Sequence, residues 1–306
     1  MKYLTPLLPF AAGWILLLST QTLSTVALVN GLVQLTLFAL VVNLQIWRTA
    51  RMSYVDVGWP LGVAAIGLVT LTMSEGYGPR VAVISAVYLF VGLRMGLGAL
   101  VLWWRGKLDV EFPRYEYQKR RWERDGKDNV PLAMQVEASV QGLANASFLA
   151  LPAFVVGANP TPGFAVLEGV GLAIWAAAFV MEWVADAQKA AFVRKAKQEG
   201  RRKAVCDVGL WRYSRHPNYF AEWMVWNALI MVSVPSWLAL RAVEPLAIWV
   251  LLGIGLLFVS RLLYVTLVFY TGAVPAEFYS VQKRPDYAAY QRRTNRFFPG
   301  PVRGDG

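Results

Sequence analysis

Pro245-Leu-Ala-Ile-Trp-Val-Leu-Leu-Gly-Ile-Gly-Leu-Leu-Phe-Val-Ser-Arg261-Leu-Leu-Tyr-Val-Thr-Leu-Val-Phe-Tyr-Thr271 is a continuous apolar run whose one charge is Arg261. A bilayer core is crossed by roughly 20 such residues as a helix, because in hydrocarbon each backbone N–H and C=O must find its partner within the segment. A strand of a membrane barrel needs only about 10, with alternating polarity, so a run this long specifies a helix. Seven further apolar segments lie at 4–20, 23–47, 55–73, 80–104, 137–157, 163–188 and 219–240. With 57% apolar residues and 13 tryptophans in 306, the composition excludes an ordinary soluble domain. The expected fold is all-α: a polytopic transmembrane bundle of seven to eight spans, forming one membrane-embedded domain over 1–306. Residues 1–22 would be an extra N-terminal helix. Lys2 before an apolar run resembles a signal peptide, but the absence of a small-x-small cleavage site favours a retained helix.

The basic residues sort by connection. Eight fall in 105–130, nine in 189–215 and six in 272–306, with Arg48 and Arg51 after the second segment. The intervening connections hold only Arg80 and Arg241. This alternation is the positive-inside pattern, with both termini and the three basic elements in the cytoplasm. The formal charge of +11 is therefore mostly topology, and nucleic acid is not an expected partner. Anionic membrane lipids are, since basic juxtamembrane loops attract them.

Ionisable residues within spans are costly and default to functional candidates. Here they are Asp56, Arg94, Glu182, Asp186, Glu222 and Arg261, with Glu277 near the last span. Glu182, Asp186 and Lys189 share one helical stripe, and Asn218 and Glu222 share another. The two stripes flank the most basic loop, which favours an anionic ligand such as a phosphate, or equally anionic lipid. There is no soluble-type Gly-rich dinucleotide fingerprint, no P-loop and no Gly-x-Ser-x-Gly elbow. The lone His216 and lone Cys206 make no metal site. His216, directly before Pro217, suits either a proton-transfer role or the entry to the next helix.

Leu210-Trp-Arg-Tyr-Ser-Arg-His-Pro-Asn-Tyr-Phe-Ala-Glu222 resembles the signature of the DUF1295 family of bacterial membrane proteins. Ser53-Tyr-Val-Asp-Val-Gly-Trp59, Gly92-Leu-Arg94, Asp186-Ala-Gln-Lys189 and Tyr287-Ala-Ala-Tyr-Gln-Arg-Arg-Thr294 with Phe298-Pro299 agree in order, covering about 50–300. The resemblance extends to the steroid 5-alpha-reductase superfamily. It implies a helical bundle in the bacterial inner membrane whose cytoplasmic half holds NADPH. It also implies reduction of a carbon–carbon double bond conjugated to a ketone in a steroid-like or other lipid. Asn218 and Glu222 then match the cofactor pair, Asp186 an acidic cofactor residue, and Arg194 or Lys189 its basic neighbour. Glu182 replaces an asparagine of the reductases, and Tyr279 lies where they carry a histidine region. Asp56 and Tyr88 stand near positions of their catalytic side chains, Tyr88 displaced by about a turn.

Arg215-His216-Pro217-x-Tyr219 is similar also to the motif with which membrane methyltransferases of the same superfamily bind S-adenosylmethionine, using an acidic residue near the tail, where Glu277 lies. A prenylcysteine or phospholipid methyltransferase is thus the alternative, and a non-enzymatic lipid-binding role the third. The topology is testable by thiol labelling in a Cys206→Ser background. A membrane-impermeant maleimide added to intact cells should label Thr161→Cys and leave Gly126→Cys unlabelled; the opposite pattern refutes the assigned orientation.

Overall fold

The computed structural model describes residues 2–304, and its regular structure is helical. Among these residues the one β-type pairing is an isolated parallel bridge between Ser214 and Asn295. The helices are α1 (Leu8–Leu18), α2 (Ser24–Thr49), α3 (Val55–Met73), α4 (Gly78–Trp104), α5 (Pro113–Arg124), α6 (Val130–Ala146) and α7 (Leu151–Gly157). They continue with α8 (Val166–Gln198), α9 (Pro217–Leu240), α10 (Leu246–Val265), α11 (Ala273–Lys283) and α12 (Tyr287–Arg293). The pair α6 and α7 forms one span, and α10 passes into α11 through a π turn at Thr266–Tyr270.

Seven helices among the described residues are long and apolar enough to cross a membrane. The first apolar segment is not one of them. It is helical over Thr5–Leu18, about 21 Å at 1.5 Å per residue against a core of about 30 Å. Helical structure extends beyond the apolar segments in two places. The 33-residue α8 reaches Gln198, so Lys189 and Arg194 ride on a helix rather than in a loop. The basic 105–130 stretch also contains a helix: α5 is amphipathic and buries Tyr115 and Trp122 among Ile46, Met52 and Met134.

The chain divides into two compact units. The first comprises Met1–Gly169 and Leu229–Val259; the second comprises Val170–Ala228 and Ser260–Gly306. In the first, α3 and α4 lie close enough for backbone to meet backbone. A Cβ on Gly92 would stand 2.3 Å from the Ala64 nitrogen and 2.6 Å from the Pro60 carbonyl oxygen, so this crossing requires glycine. Polar side chains fasten neighbouring helices at depth. Gln34 Nε2 donates to Asn30 Oδ1 and to the Gly62 carbonyl, Asn30 Nδ2 to the Asn145 carbonyl, and Asn145 Nδ2 to the Trp59 carbonyl. Arg80 holds the Asn159-to-Gly163 turn by donating to the Asn159, Thr161 and Gly163 carbonyls, while its Nε lies 2.7 Å from Glu168 Oε1.

The second unit gathers an aromatic cluster around the tail. Phe297 is buried, with ring centroids 5.8 Å from Phe220, 6.0 Å from Trp223 and 5.3 Å from Tyr264. This cluster anchors residues that the site below draws on. The glycine crossing yields a direct stability test. Gly92→Leu should lower the melting temperature in detergent by an overpacking cost of about 1–3 kcal/mol or more. Gly98→Leu, where a Cβ meets nothing within 4 Å, should leave it unchanged; equal effects would refute the close crossing.

Candidate functional site

The second unit is organised by the stretch 209–217. Gly209 has φ +58°, in the left-handed region, and a Cβ there would lie 2.4 Å from Gln188 Oε1, so both conformation and space call for glycine. Gln188 of α8 uses that closeness: its Oε1 accepts from the Leu210 N–H at 2.9 Å. Trp211 then turns inward and donates its indole N–H to the Ala185 carbonyl at 2.8 Å. Lys189, one residue past Gln188, sits with Nζ 3.7 Å from the Trp211 ring centroid, a cation–π contact. These contacts lock the loop to α8 before Pro217 opens α9 at a position where its missing N–H costs nothing.

The tail closes the other side. Ser214 Oγ donates to the Phe297 carbonyl at 2.8 Å, and the Arg215 N–H donates to the Asn295 carbonyl at 2.8 Å. Arg215, 6% exposed, faces Glu277, 4% exposed. Its Nε lies 2.7 Å from Glu277 Oε1 and its Nη2 3.1 Å from Oε2, while Nη1 donates to the Gln291 and Thr294 carbonyls. His216 Nε2 is 3.2 Å from Glu277 Oε1, and its ring stacks on Tyr219 with planes 3° apart. Gln291 Nε2 and Arg296 Nε complete the set at 2.9 and 3.3 Å from Oε2. Five donor contacts meet one carboxylate, which offers about four lone-pair positions.

Beyond this node the first turns of α9 carry the amide and acid expected from the sequence. Asn218 Nδ2 donates to Asp186 Oδ1 across from α8 at 3.1 Å. Asn218 Oδ1 is buried and has no hydrogen-bond partner among the described residues. Glu222 follows one turn later, half-buried, and Glu182 is half-buried one turn before Asp186. Arg194 is exposed near the end of α8. Tyr279 is half-buried on α11, with Lys283 Nζ 5.7 Å from its ring centroid.

Asp56 and Tyr88 belong to the first unit. Asp56 is paired with Arg114 and accepts from the Tyr115 hydroxyl at 2.6 Å. Tyr88 is 1% exposed and donates its hydroxyl to the Leu149 carbonyl at 2.8 Å. Sequence reasoning missed Gln188, Trp211, Gln291 and Arg296 as parts of the second unit's site. The signal for Gln188, Trp211 and Gln291 was their place inside the quoted motifs; no motif or periodicity marked Arg296. No group of three or more His, Cys, Asp or Glu among the described residues is arranged to hold a metal ion.

Seven spanning helices with polar side chains gathered at the start of one of them define an integral membrane protein with a built polar site. Residues 38–294 match the family described as "Protein of unknown function (DUF1295)", and the chain belongs to that family. Comparison with curated proteins and with solved structures gave no match.

His216 lies just outside the spans. Burial lowers its pKa from the ordinary 6.5; the hydrogen bond and charge of Glu277 oppose this and do not prevail, and the Lys189 and Arg215 charges add to the lowering. Below pH 6.5 the unfolded chain takes up a proton that the folded site resists. The stability held above that value is therefore lost as pH falls through it towards the folded pKa. The melting temperature should drop over this window, and His216→Gln should flatten the drop. An identical slope in the variant would remove His216 as its source.

Proposed function

We propose that this chain is an integral-membrane, NADPH-dependent reductase of a carbon–carbon double bond conjugated to a ketone in a steroid-like or other lipid substrate. The observation that carries this is the Asp186–Asn218 hydrogen bond between α8 and α9, with Asn218 Oδ1 left as a buried acceptor. A buried carbonyl oxygen without a donor is costly, and a ligand N–H or O–H would supply the donor. The residues therefore fit a nucleotide cofactor: Asp186 orients Asn218, Asn218 accepts from the ligand, and Glu222 lies on the same face one turn on. Lys189 adds positive charge from α8. When bound, NADPH supplies hydride; the protein's part is to hold it in register, exclude water and place a donor at the developing enolate.

The resemblance of Asn218-x-x-x-Glu222 and Asp186 to the reductase cofactor residues supports the same assignment. The positive-inside pattern supports a cofactor face on the cytoplasmic side of a bacterial inner membrane. The resemblance gives three catalytic candidates, Asp56 and Tyr88 in the first unit and Glu222 in the second, each proposed on its own.

The methyltransferase alternative draws on Arg215 and His216 meeting Glu277. That meeting weighs against it in one respect. Glu277 already receives Arg215, His216, Gln291 and Arg296, which leaves its carboxylate no capacity for the amino group of S-adenosylmethionine. The arrangement suits a structural node better than a ligand acceptor.

Ligand-dependent melting separates the two enzymes. At about 100 times its Kd, NADPH should stabilise the purified protein by about 2.7 kcal/mol, and S-adenosylmethionine should give no shift. Glu222→Ala should remove the NADPH shift while the unliganded protein still melts cooperatively. Stabilisation by S-adenosylmethionine alone would overturn the reductase assignment.

A further inference from the structure

The ionisable residues within or beside the spans are not all accounted for by partners in the chain. Asp56 is paired with Arg114, Asp186 with Asn218 and Glu277 with Arg215. Arg94, Glu182 and Glu222 also have interaction partners. Arg261 is exposed and has no hydrogen bond and no ion pair among the described residues. It stands on α10 at the end of a stripe of exposed apolar side chains, Val250, Ile254 and Leu257, that recurs every three to four residues. An exposed apolar stripe along a spanning helix faces hydrocarbon, so the charge that ends it must be met from the membrane.

Depth sets what such a charge needs. Arg261 stands 15 residues after Leu246, about 23 Å along the axis at 1.5 Å per residue. In a core of about 30 Å that leaves about 7 Å to the headgroups on the side that the positive-inside pattern makes cytoplasmic. A side chain as long as arginine's covers that gap by snorkelling. Tyr264, three residues on, is its neighbour on the helix surface. The Tyr264 ring is fixed by Phe297, with centroids 5.3 Å apart, and by Phe298, stacked at 6.0 Å with planes 23° apart. Its hydroxyl has no hydrogen bond among the described residues, although a tyrosine packed this way ordinarily finds one. Ser260 turns towards α9: its hydroxyl donates to Asn227 Oδ1 at 2.8 Å, and its carbonyl accepts the Trp223 indole N–H at 3.0 Å. This turn of α10 is thereby pinned, and Arg261, about 100° round the helix from Ser260, is held outward.

We propose that Arg261 and Tyr264 form a seat for the headgroup phosphate of an anionic phospholipid in the cytoplasmic leaflet. The guanidinium fork matches two phosphate oxygens and supplies the counter-charge, and the tyrosine hydroxyl is a further donor to the same group. A net-negative headgroup compensates the arginine; a zwitterionic one brings its own cation and compensates it less. The seat differs from the general attraction of the basic loops to anionic lipid, which acts through water and is screened by salt. It lies on a span, where screening is weaker. It depends neither on the reductase assignment nor on a bound cofactor.

The test uses the full chain in detergent, titrated with phosphatidylglycerol or phosphatidylcholine as mixed micelles, with affinity read from the shift in melting temperature. In about 0.5 M salt, where the loops are screened, wild type should still favour phosphatidylglycerol. Arg261→Gln should lose about tenfold or more of that affinity, and Tyr264→Phe about two- to tenfold, as expected for a charged and a neutral hydrogen bond. Arg202→Gln, exposed on the basic loop, should leave it unchanged. Equal affinity of wild type and Arg261→Gln would overturn the proposal, and so would equal affinity of wild type for the two lipids. Conversion of a lipid-free oligomer to monomer by Arg261→Gln would also overturn it, because the cation's partner would then be a second copy of the chain. Should Arg261→Gln fail to fold, Tyr264→Phe, which keeps the ring and removes only the hydroxyl, decides: weaker binding of phosphatidylglycerol supports the seat and unchanged binding overturns it.

Discussion

One buried carboxylate carries the second unit. Glu277 compensates a guanidinium that has almost no contact with solvent, and a buried charge without its partner costs several kcal/mol. The bidentate geometry fixes the plane of Arg215, and the remaining guanidinium N–H groups reach carbonyls from residues 291 and 294. The loop before α9 is thereby held to three consecutive segments far along the chain: α11, α12 and the tail. His216 and Tyr219 are oriented by the same node, and the start of α9, with Asn218 and Glu222, follows from it.

This arrangement divides the quoted motif by task. Arg215 and His216 look inward to Glu277 and shape the chain. Asn218 looks to Asp186 and keeps an acceptor in reserve. The lone histidine, the most conspicuous residue in the sequence, is engaged in packing and in a hydrogen bond to a saturated carboxylate. The residues with capacity for a ligand are the less conspicuous ones beside it.

The spans were legible because hydrocarbon imposes a simple rule, long apolar runs with bonded backbones, and the run 245–271 obeys it plainly. Asp186 and Asn218 were legible as members of two helical stripes flanking one loop, but their hydrogen bond to each other was not. What the sequence could not reveal depends on tertiary closeness. Thr5–Leu18 is apolar enough to suggest a span, yet its helix is too short for one. The overrun of α8 past its apolar segment reflects good helix formers such as Ala190, Ala191 and Lys195, which hydropathy ignores.

The discontinuity of the second unit has a consequence for biosynthesis. Its first part, Val170–Ala228, leaves the ribosome before the hairpin of α9 and α10 is complete, and its second part begins only at Ser260. At about 5–20 residues per second, Arg215 waits several seconds for Glu277 and longer for the carbonyl of Thr294. During that interval the membrane helices can already be inserted while the motif stands half-built, its guanidinium still in water. Assembly of the site is therefore a late event in the life of the chain, separated in time from the insertion that fixes its spans.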